Sequence, residues 1–528
     1  MHPLCRAALC SLTLIPLAVA QQTPTPAAAP WWNETTALAN DSMEGRDTGT
    51  EAYERAAKYV AAKFAASGLK PAGDIGTFFQ RVPMRQVDLD AAHSAVEIVH
   101  NPASAGASTS TSLRLLQEVT LTPREDLPPL TEAPMIFLDY GLPTPMADLQ
   151  GKIAVYFNNT PAALSAADRD SFALRRTRAL SQSGAVALVS IDKPNAIESF
   201  HWPTAYARSV TLANSDTTHA SSGPLTLRIS SEAAANLLAA SGHEIGDIRR
   251  DGAQGAPLPS FPLKNTLRIH LATTARDISS PNILAILPGS DPALAPEYIA
   301  LSAHLDGYGF GTPVLGDNLY NGALDDAAYV ATLLELARTE AILPPTQRPK
   351  RSLLFCIFTG EEKGLLGSAY FTQHPTVPIA QIVADLNLDQ LRPIFPLTIL
   401  TMEGITDSTL GDTARTVASR YSIELRPDLE PERNLFRRAD NYNFVRVGVP
   451  IAGFIFGYNH GTPEERTYRD WYARRYHKPQ DDLSTPVDWQ AAVVFNDFFR
   501  DLTLATANAP HRPAWSPTSS YRPQASMR

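Results

Sequence analysis

The chain has 528 residues, more than one hydrophobic core usually serves, so its length predicts two domains or one domain with a large insert. Its net charge of −9 and the lack of a long basic run argue against a nucleic-acid partner, and no basic amphipathic helix favours membrane binding. The apolar fraction of 44% is sufficient for globular packing.

The first twenty residues match the pattern of a secretory signal peptide. Arg6 precedes an apolar stretch at 7–18, and Ala18-Val19-Ala20 fits the small residues of a cleavage site. No later stretch reaches about eighteen apolar residues, so no membrane span is predicted. We therefore expect an exported protein, periplasmic or secreted. Its only remaining cysteine, Cys356, lies in an apolar run and is expected to be buried, without a disulfide partner in the mature chain.

Two segments follow the predicted signal peptide. Residues 21–30 are rich in Pro, Ala and Thr, which predicts a linker that need not fold. An amphipathic helix is then predicted from Thr50 to Gly68. Thr50 can cap the start of this helix and Gly68 can end it, while one apolar face is formed by Tyr53, Ala57, Val60 and Phe64.

The segment from residue 110 to residue 264 has a different character. It contains many short β-like runs with abundant Ser, Thr and Pro, and no ordered cluster of His, Asp or Glu. One helix is predicted at 231–240, and strands are predicted at 135–140, 152–157 and 185–191. We interpret the segment as an inserted β-rich domain. A lid or docking role and simple structural padding are equally open for it.

Three apolar, partly β-branched runs in the C-terminal half predict buried parallel strands, and each is followed by polar residues. The runs are Tyr298–Ala303, Ser352–Phe358 and Ile382–Leu388, and the residues after them are His304, Glu361 with Glu362, and Asp389. In open α/β sheets, ligands bind at the carboxyl ends of the strands. The sequence therefore predicts that these distant side chains meet at one edge of a sheet.

The strands alternate with predicted helices at 327–338, 364–374, 407–421 and 488–505. Such alternation predicts an α/β fold with a mixed, mainly parallel central sheet and helices on both faces. The last residues, 508–528, are rich in Pro and Ser and are expected to be disordered.

Taken singly, the polar clusters have ordinary structural explanations. A histidine two residues before an aspartate, as in His304 and Asp306, also arises by chance. Asp306 could alternatively accept the second ring N–H of a ligand histidine. Asp325 and Asp326 precede a predicted helix, so either could be its N-cap. These separate explanations do not account for the occurrence of all the clusters within one short stretch.

Glu361 and Glu362 could be first-turn acids of a helix that begins near Gly364. Adjacent acids do not face the same way on a helix, however, so the two carboxylates can do different jobs. One can bind a metal ion while the other accepts a proton from the attacking water, which is the pairing that two-metal hydrolysis requires. His477, on a Pro-containing loop, offers a further imidazole. These residues indicate a candidate hydrolytic site.

A known family shares these motifs in this order. Over about residues 36–506, with an insert, the chain resembles the co-catalytic dizinc aminopeptidases related to bacterial leucyl aminopeptidases and to glutamate carboxypeptidase. The resemblance implies a zinc-peptidase/phosphorylase-like fold and two Zn²⁺ ions per chain. The motifs that carry it are His304-Leu305-Asp306, Gly322 to Asp326, Thr359 to Glu362, Asn387 to Asp389, and Tyr476-His477.

The resemblance also implies the roles of individual residues. The implied ligands are His304, Asp325 and Asp389 for one zinc ion, and Asp325, Glu362 and His477 for the other, with Asp325 as the bridge. Glu361 takes the place of the family's general base. Asp306 stands behind His304 as its orienting acid, and Tyr476 would donate a hydrogen bond to the developing oxyanion.

The insert resembles a protease-associated domain, through Asp148 to Lys152 and through Gly184-Ala185-Val186. The expected division of the chain is a signal peptide at 1–20, a linker at 21–30, a discontinuous catalytic domain at 31–109 and 265–507, the protease-associated-like insert at 110–264, and the tail at 508–528.

Three segments depart from the family pattern. Asp326-Ala327-Ala328-Tyr329 stands where Asn-Ala-Ser-Gly is usual, and Ala439-Asp440-Asn441 stands where Ser-Asp-His is common. Residues 309–320 add a loop between His304 and Asp325. No departure removes a ligand, so they concern substrate choice more than catalysis.

The sequence thus predicts an exported dizinc exopeptidase acting on peptides, most simply an aminopeptidase, and it leaves the oligomeric state open. The alternatives are a carboxypeptidase of the glutamate carboxypeptidase type, a single-zinc acyltransferase like glutaminyl cyclase, and a non-catalytic binding protein. Five candidate ligands exceed the needs of one ion, and an intact Glu361 argues against a non-catalytic role. Arg437 and Arg438, which could bind a terminal carboxylate, are interpreted as surface charge in an arginine-rich region.

Overall fold

The structure is a computed structural model that describes residues 23–100, 108–143, 147–193, 202–213, 223–239, 241–389 and 393–523. The expected signal peptide lies outside these residues. Within them, none of the helices combines the length and the apolar character that crossing a membrane requires.

The strands of these residues are numbered in chain order. They are β1 Lys70–Pro71, β2 Phe79–Leu89, β3 Ala95–His100, β4 Thr109–Leu113, β5 Val119–Leu121, β6 Leu130–Leu138, β7 Ile153–Phe157, β8 Ala187–Ile191, β9 Arg208–Leu212, β10 Leu225–Ile229, β11 Ser260–His270, β12 Thr273–Leu287, β13 Tyr298–His304, β14 Gly309–Val314, β15 Asp317–Tyr320, β16 Ser352–Phe358, β17 Ile382–Asn387, β18 Ile399–Glu403, β19 Glu424–Arg426 and β20 Ile451–Phe456.

The α-helices are numbered in the same way. They are α1 Ala29–Ala39, α2 Glu51–Ala66, α3 Ala166–Ser181, α4 Ala234–Leu238, α5 Ile245–Gln254, α6 Ala328–Ala341, α7 Leu366–Gln373, α8 Leu410–Ala418, α9 Asn441–Arg446, α10 Pro463–Arg474 and α11 Trp489–Asn508. Helix α2 begins as predicted, because the Thr50 hydroxyl accepts a hydrogen bond from the Tyr53 N–H at 3.2 Å.

The central sheet has the strand order β19-β18-β20-β17-β13-β16-β12-β2-β9, and β1 pairs with β12 beside this path. Strands β16, β13, β17 and β20 are parallel to one another. Antiparallel neighbours, β12 on one side and β18 on the other, flank this parallel block. The predicted mixed sheet is confirmed, and its parallel part is the block that carries the polar clusters.

Helices cover both faces of the central sheet. On β16 the side chains of Leu353, Phe355 and Ile357 belong to the main core cluster with helices α2, α6 and α11. The alternate side chains Leu354 and Cys356 belong to a second cluster with α7 and α9. Alternation along a strand that is buried on both faces explains why the run is continuously apolar. The expected burial of Cys356 is confirmed.

A second sheet has the order β4-β3-β11-β6-β7-β8-β10-β5 and its own hydrophobic core. It extends from β3 to the end of β11, beyond the expected limits of 110 and 264, because β3 and β11 pair with each other inside it. One strand of the expected insert, β9, leaves this sheet and pairs with β2 at the edge of the central sheet. The insert therefore contributes structure to the central sheet as well.

Both ends of the described chain are more ordered than their composition predicts. Helix α1 begins at Ala29, inside the expected linker, and Trp31, directly after that linker, is buried and donates its indole N–H to the Ala328 carbonyl at 2.6 Å. In the tail expected to be disordered, the Trp515 indole N–H donates to the Gly448 carbonyl at 2.9 Å. Tyr521 also stacks on an aromatic ring of the domain. Aromatic residues in or directly beside these segments anchor them to the domain, which the Pro-rich composition does not reveal.

Candidate metal centre

The candidate ligands come from five separate places in the chain. His304 ends β13, Glu362 lies in the loop after β16, and Asp389 lies two residues beyond β17. Asp325 lies in the turn before α6, and His477 lies in the loop after α10. Since β13, β16 and β17 are parallel neighbours, their carboxyl ends lie on the same edge of the sheet. The fold thus brings together the residues that the strand pattern predicts.

Asp325 lies between the two histidines. Its Oδ1 is 3.4 Å from His304 Nε2, and its Oδ2 is 3.4 Å from His477 Nε2. His477 Nε2 is also 3.2 Å from Glu362 Oε2. One potential ligand atom from each of His304, Asp325 and Glu362 lies within 4.8 Å of the others. Each oxygen of one carboxylate therefore faces a different imidazole, which is the arrangement a bridging ligand requires.

These spacings fit zinc. Two atoms that each lie about 2.0–2.2 Å from one tetrahedral zinc ion are roughly 3.3–3.6 Å apart. A charge-assisted hydrogen bond would instead bring nitrogen and oxygen to about 2.7–2.9 Å. The His304 and His477 contacts to Asp325, at 3.4 Å, match the first spacing. Imidazole nitrogens and carboxylate oxygens are also the donor types that zinc prefers over thioethers or amides.

The site concentrates negative charge around a buried histidine. Burial would lower the pKa of His304, but the surrounding carboxylates raise it well above its ordinary value. In order of effect these acids are Glu361, Asp326, Asp325 and Asp389. Because like charges repel strongly at low dielectric, such a cluster is stabilised by bound cations.

Glu361 and Glu362 have opposite pKa shifts. Burial, followed by the charges of Asp389 and Glu362, raises the pKa of Glu361 well above its usual range, although His304 opposes this. Burial also favours the neutral form of Glu362, but His477 outweighs burial and lowers the pKa of that carboxyl. Glu361 Oε2 lies 4.0 Å from His304 Nε2, beside the ligand atoms. The two neighbouring carboxyl groups thus lie in different electrostatic environments.

Asp306 contacts the site in a different way from the one expected. The His304 Nδ1–H donates to the backbone carbonyl of Asp306 at 3.0 Å, whereas the carboxylate Oδ1 is 3.9 Å from this nitrogen. The carboxylate instead accepts hydrogen bonds from the backbone N–H groups of Glu361 at 3.0 Å and Glu362 at 3.3 Å. It also accepts one from the Thr48 hydroxyl at 3.0 Å. Asp306 therefore orients the loop of the two glutamates through its side chain and His304 through its main chain.

Neither Asp325 nor Asp326 caps helix α6. The N-cap position of α6 is Ala327, without a side-chain hydrogen bond. Asp326 Oδ2 instead accepts the backbone N–H of His304 at 3.3 Å. The turn that holds Asp325 is fixed by Asp481, whose two carboxylate oxygens accept the N–H groups of Leu324 at 3.1 Å and Asp325 at 3.0 Å.

Two tyrosines contact His477. Tyr476 stacks on its imidazole with 3.7 Å between ring centroids, and the Tyr308 hydroxyl lies 3.1 Å from its Nδ1. Arg438 Nη2 lies 3.5 Å from the Tyr476 hydroxyl. Arg437 is exposed, as expected for surface charge, but the same expectation is wrong for Arg438. One cation of the arginine-rich region therefore borders the candidate site.

The extra loop between the first two ligands forms the hairpin of β14 and β15. A cavity with about 210 Å³ of open space lies beside it. The lining residues include Tyr308, Tyr320, Asp325, Glu362 and His477. Tyr320, the last residue of the hairpin, thus borders the space next to the candidate ligands.

Arg46 supports the site from beneath. Its guanidinium is fully buried and donates to the carbonyls of Leu305 at 2.8 Å and of Gly322 at 2.9 Å, on the two chain segments that carry His304 and Asp325. Further bonds reach the carbonyls of Leu38 and Asn321. Burial lowers the pKa of Arg46 to about 10, so the group remains a cation at neutral pH.

We expect Arg46→Met to lower the free energy of unfolding by about 3 kcal/mol or more, because four buried carbonyls lose a charged donor at once. Chemical denaturation of the metal-free protein measures this. Arg474→Met is the matched control, since that side chain is 77% exposed and its loss is expected to cost less than about 1 kcal/mol. Equal stability of the two variants would contradict the supporting role of Arg46.

Several residues at the site are not assigned a role by the sequence. They are Arg46, Tyr308, Lys363 and Asp481. Tyr308 follows His304 by four residues, and Asp481 follows His477 by four, so proximity to a ligand is the available signal. These residues contact backbone groups and side chains that are distant in the sequence. Such contacts produce no periodic pattern in the sequence.

Comparisons with known proteins agree with this geometry. Residues 282–503 match peptidase family M28. Over 166 residues, 29% of this chain and 35% of the relative, the sequence is 34% identical to a probable zinc metalloprotease of Pyrenophora tritici-repentis. Over 193 residues, 36% of each chain, it is 24% identical to the aminopeptidase YwaD of Bacillus subtilis. The chain therefore matches about a third of the length of these curated relatives.

The fold resembles that of a solved aminopeptidase from Aneurinibacillus sp. strain AM-1. The TM-score is 0.57 at 20% identity, covering 93% of this chain and 96% of that one. This likeness confirms the predicted fold class, and the family match confirms the resemblance drawn from the motifs.

Proposed function

We propose, because residues 282–503 match peptidase family M28, that this chain is an exported exopeptidase with two zinc ions per chain that releases N-terminal residues from peptides. The position of Asp325 between His304 and His477 is the observation that carries the proposal. Two imidazoles that face opposite oxygens of one carboxylate support a bridged pair of ions better than a single ion.

The proposed ligands divide into two sets that share Asp325. One set is His304, Asp325 and Asp389, and the other is Asp325, Glu362 and His477. Bound zinc supplies Lewis-acid polarisation of the scissile carbonyl and lowers the pKa of a water molecule. Five protein ligands from two histidines and three carboxylates exceed the number that a single-zinc acyltransferase needs.

The chain's own residues supply the rest of the chemistry. Glu361 accepts a proton from the attacking water and delivers it to the departing amine, a role supported by its position beside the ligand atoms. Tyr476 donates a hydrogen bond to the oxygen that becomes negative. Asp306 holds the glutamate loop in register with His304, because its two carboxylate oxygens accept the N–H groups of Glu361 and Glu362 and its backbone carbonyl accepts the His304 ring N–H.

The proposed recognition of a peptide's N-terminus rests on the negative charge of the site. The unpaired ammonium of a free peptide is a cation, and the acidic cluster around His304 attracts it. The signal-peptide pattern of residues 1–20 supports export. We interpret the second sheet, with its own hydrophobic core, as the inserted protease-associated-like domain.

A carboxypeptidase is the second candidate, and the position of Arg438 favours it. Its Nη2 lies 3.5 Å from the Tyr476 hydroxyl, so a guanidinium is available beside the site for a terminal carboxylate. The acids closest to the proposed ions outnumber this one cation, which is why the aminopeptidase is preferred.

We expect unblocked peptides to lose N-terminal residues and N-acetylated peptides to remain intact, as measured by mass spectrometry of the products. Arg438→Ala should then leave cleavage of unblocked peptides largely in place. Arg437→Ala is the matched control, because its side chain is exposed and adjacent in sequence. If acetylated peptides with a free carboxylate are cut equally well, and Arg438→Ala alone stops this, the carboxypeptidase replaces the aminopeptidase.

A further inference from the structure

A short segment of the expected insert reaches the candidate metal centre. Strand β9 pairs with β2 of the central sheet, and the Ala205 carbonyl accepts the Thr312 N–H of the β14–β15 hairpin at 2.8 Å. The Thr204 N–H donates to the Leu116 carbonyl, in the connection between β4 and β5 of the second sheet, at 2.8 Å. The segment is therefore anchored on both sheets, and Tyr206 lies between these anchors.

Tyr206 belongs to a compact network of charges. Its hydroxyl accepts a hydrogen bond from Lys363 Nζ at 2.5 Å and lies 3.3 Å from Asp47 Oδ1, to which it donates. Lys363 Nζ is itself 3.2 Å from Asp47 Oδ1. Arg208 forms ion pairs with Asp47 and with Asp88. Two cations and two anions thus balance one another around one phenol.

The network continues into the proposed ligand set. Lys363 directly follows Glu362 in the chain and donates to the Gly307 carbonyl at 3.3 Å. Its ammonium lies 4.7 Å from the centre of the Tyr308 ring, and the Tyr206 and Tyr308 rings are 5.9 Å apart. Tyr308 in turn places its hydroxyl 3.1 Å from His477 Nδ1. Two series of contacts therefore link Tyr206 to the Glu362–His477 ligand set. One runs through Lys363 to its chain neighbour Glu362, and the other runs through Tyr308 to His477.

The ion pair between Lys363 and Asp47 is shielded from water. The Lys363 side chain is 6% exposed and that of Asp47 is 9% exposed. An ion pair shielded from water in this way is weakly screened, and removing one polar partner leaves a donor or acceptor that water cannot replace. A ligand histidine binds a metal ion through one ring nitrogen, and a hydrogen-bond partner commonly fixes the other ring nitrogen. Loss of that partner typically weakens metal binding by about 10- to 100-fold.

We propose that Tyr206, supplied by the inserted segment, is a positioning residue for the Glu362–His477 zinc site. This inference rests on the proposed function, because it requires a zinc ion at that site. It gives the insert a role beyond that of a lid, since the insert completes the support of one of the two proposed ion sites. The hydroxyl acts through Lys363, which adjoins Glu362 in the chain and lies over the ring of Tyr308, the residue that contacts His477. It makes no contact with the substrate.

The test is a titration of the metal-free full chain with Zn²⁺ against a chromogenic chelator. For Tyr206→Phe we expect the binding step that His477→Ala removes to weaken by about 10-fold, at the low end of the usual range for outer partners. The other step should change by less than about twofold. Tyr156→Phe is the matched control, because this insert tyrosine contacts Arg176 through its ring face, and its titration should superimpose on that of the wild type.

Two results would overturn the inference. One is a Tyr206→Phe titration that superimposes on that of the wild type. The other is equal weakening of both steps together with a lower melting temperature of the metal-free protein, which would make Tyr206 an ordinary packing residue. A wild-type titration without a second step would contradict the proposed function instead. The two failures are distinct, because one appears in the wild-type protein and the other only in the variant.

Discussion

Replacing Glu361 by Gln is expected to lower kcat by about 100- to 10,000-fold while zinc content stays at the wild-type value. The amide keeps the shape of the side chain but cannot accept the proton of the attacking water, and general-base contributions are of this size. Zinc should be retained because Glu361 Oε2 lies 4.0 Å from His304 Nε2 without belonging to either proposed ligand set. Initial rates on an unblocked peptide and metal analysis of the same sample measure the two quantities.

The neighbouring acid provides the control for this experiment. Glu362→Gln should lose zinc at the site shared with His477, since Glu362 Oε2 lies 3.2 Å from His477 Nε2 and its pKa is lowered by that histidine against the effect of burial. The two isosteric changes, one residue apart, should therefore separate rate from metal content. A Glu361→Gln variant with a near-normal rate would remove Glu361 from the general-base role.

The sequence predicts the gathering of the ligands well, for a physical reason. Buried parallel strands are mainly apolar, so polar side chains concentrate where a strand ends, although β17 also buries Asp385. His304 follows such a run and Asp389 follows another, and the sheet places both at one edge. The identity of the candidate site is thus encoded locally, in short segments, although its members are far apart in the chain.

The support around the ligands is not encoded in this way. The backbone carbonyl of Asp306, not its carboxylate, accepts the His304 ring N–H, which no side-chain pattern reveals. Arg46 and Tyr206 reach the site from segments more than 150 residues before the ligands they support. Such contacts depend on how distant segments pack in the folded chain, and a single long-range hydrogen bond leaves no periodicity in the sequence.

The segments at the ends of the domain show the same limit. Their Pro-rich composition predicts a linker and a disordered tail, yet Trp31, directly after the linker, and the partly buried Trp515 each donate an indole N–H to a backbone carbonyl. Average composition describes the many small residues of a segment, whereas one aromatic side chain can supply most of its burial. A single tryptophan can therefore decide whether such a segment is ordered.

Asp325 has a different position from the other proposed ligands, because each of its oxygens faces a separate histidine at 3.4 Å. Two dications held close together repel each other strongly at low dielectric. A carboxylate between them offsets this repulsion for both, whereas a terminal ligand stabilises only its own ion. Asp481 holds the Asp325 backbone in the required turn, so the carboxylate is positioned before any ion binds.

Asp325→Ala is therefore expected to remove both zinc ions together and to reduce peptide hydrolysis below detection, whereas His477→Ala should empty mainly one site. Metal analysis after exhaustive dialysis compares the two variants with the wild type. Circular dichroism of the metal-free proteins tests that both variants fold, and Asp482→Ala is the control for loss of a nearby, partly exposed acid. Full zinc occupancy after Asp325→Ala would contradict the bridging role, because a site that keeps both ions without this carboxylate does not depend on it to offset their repulsion.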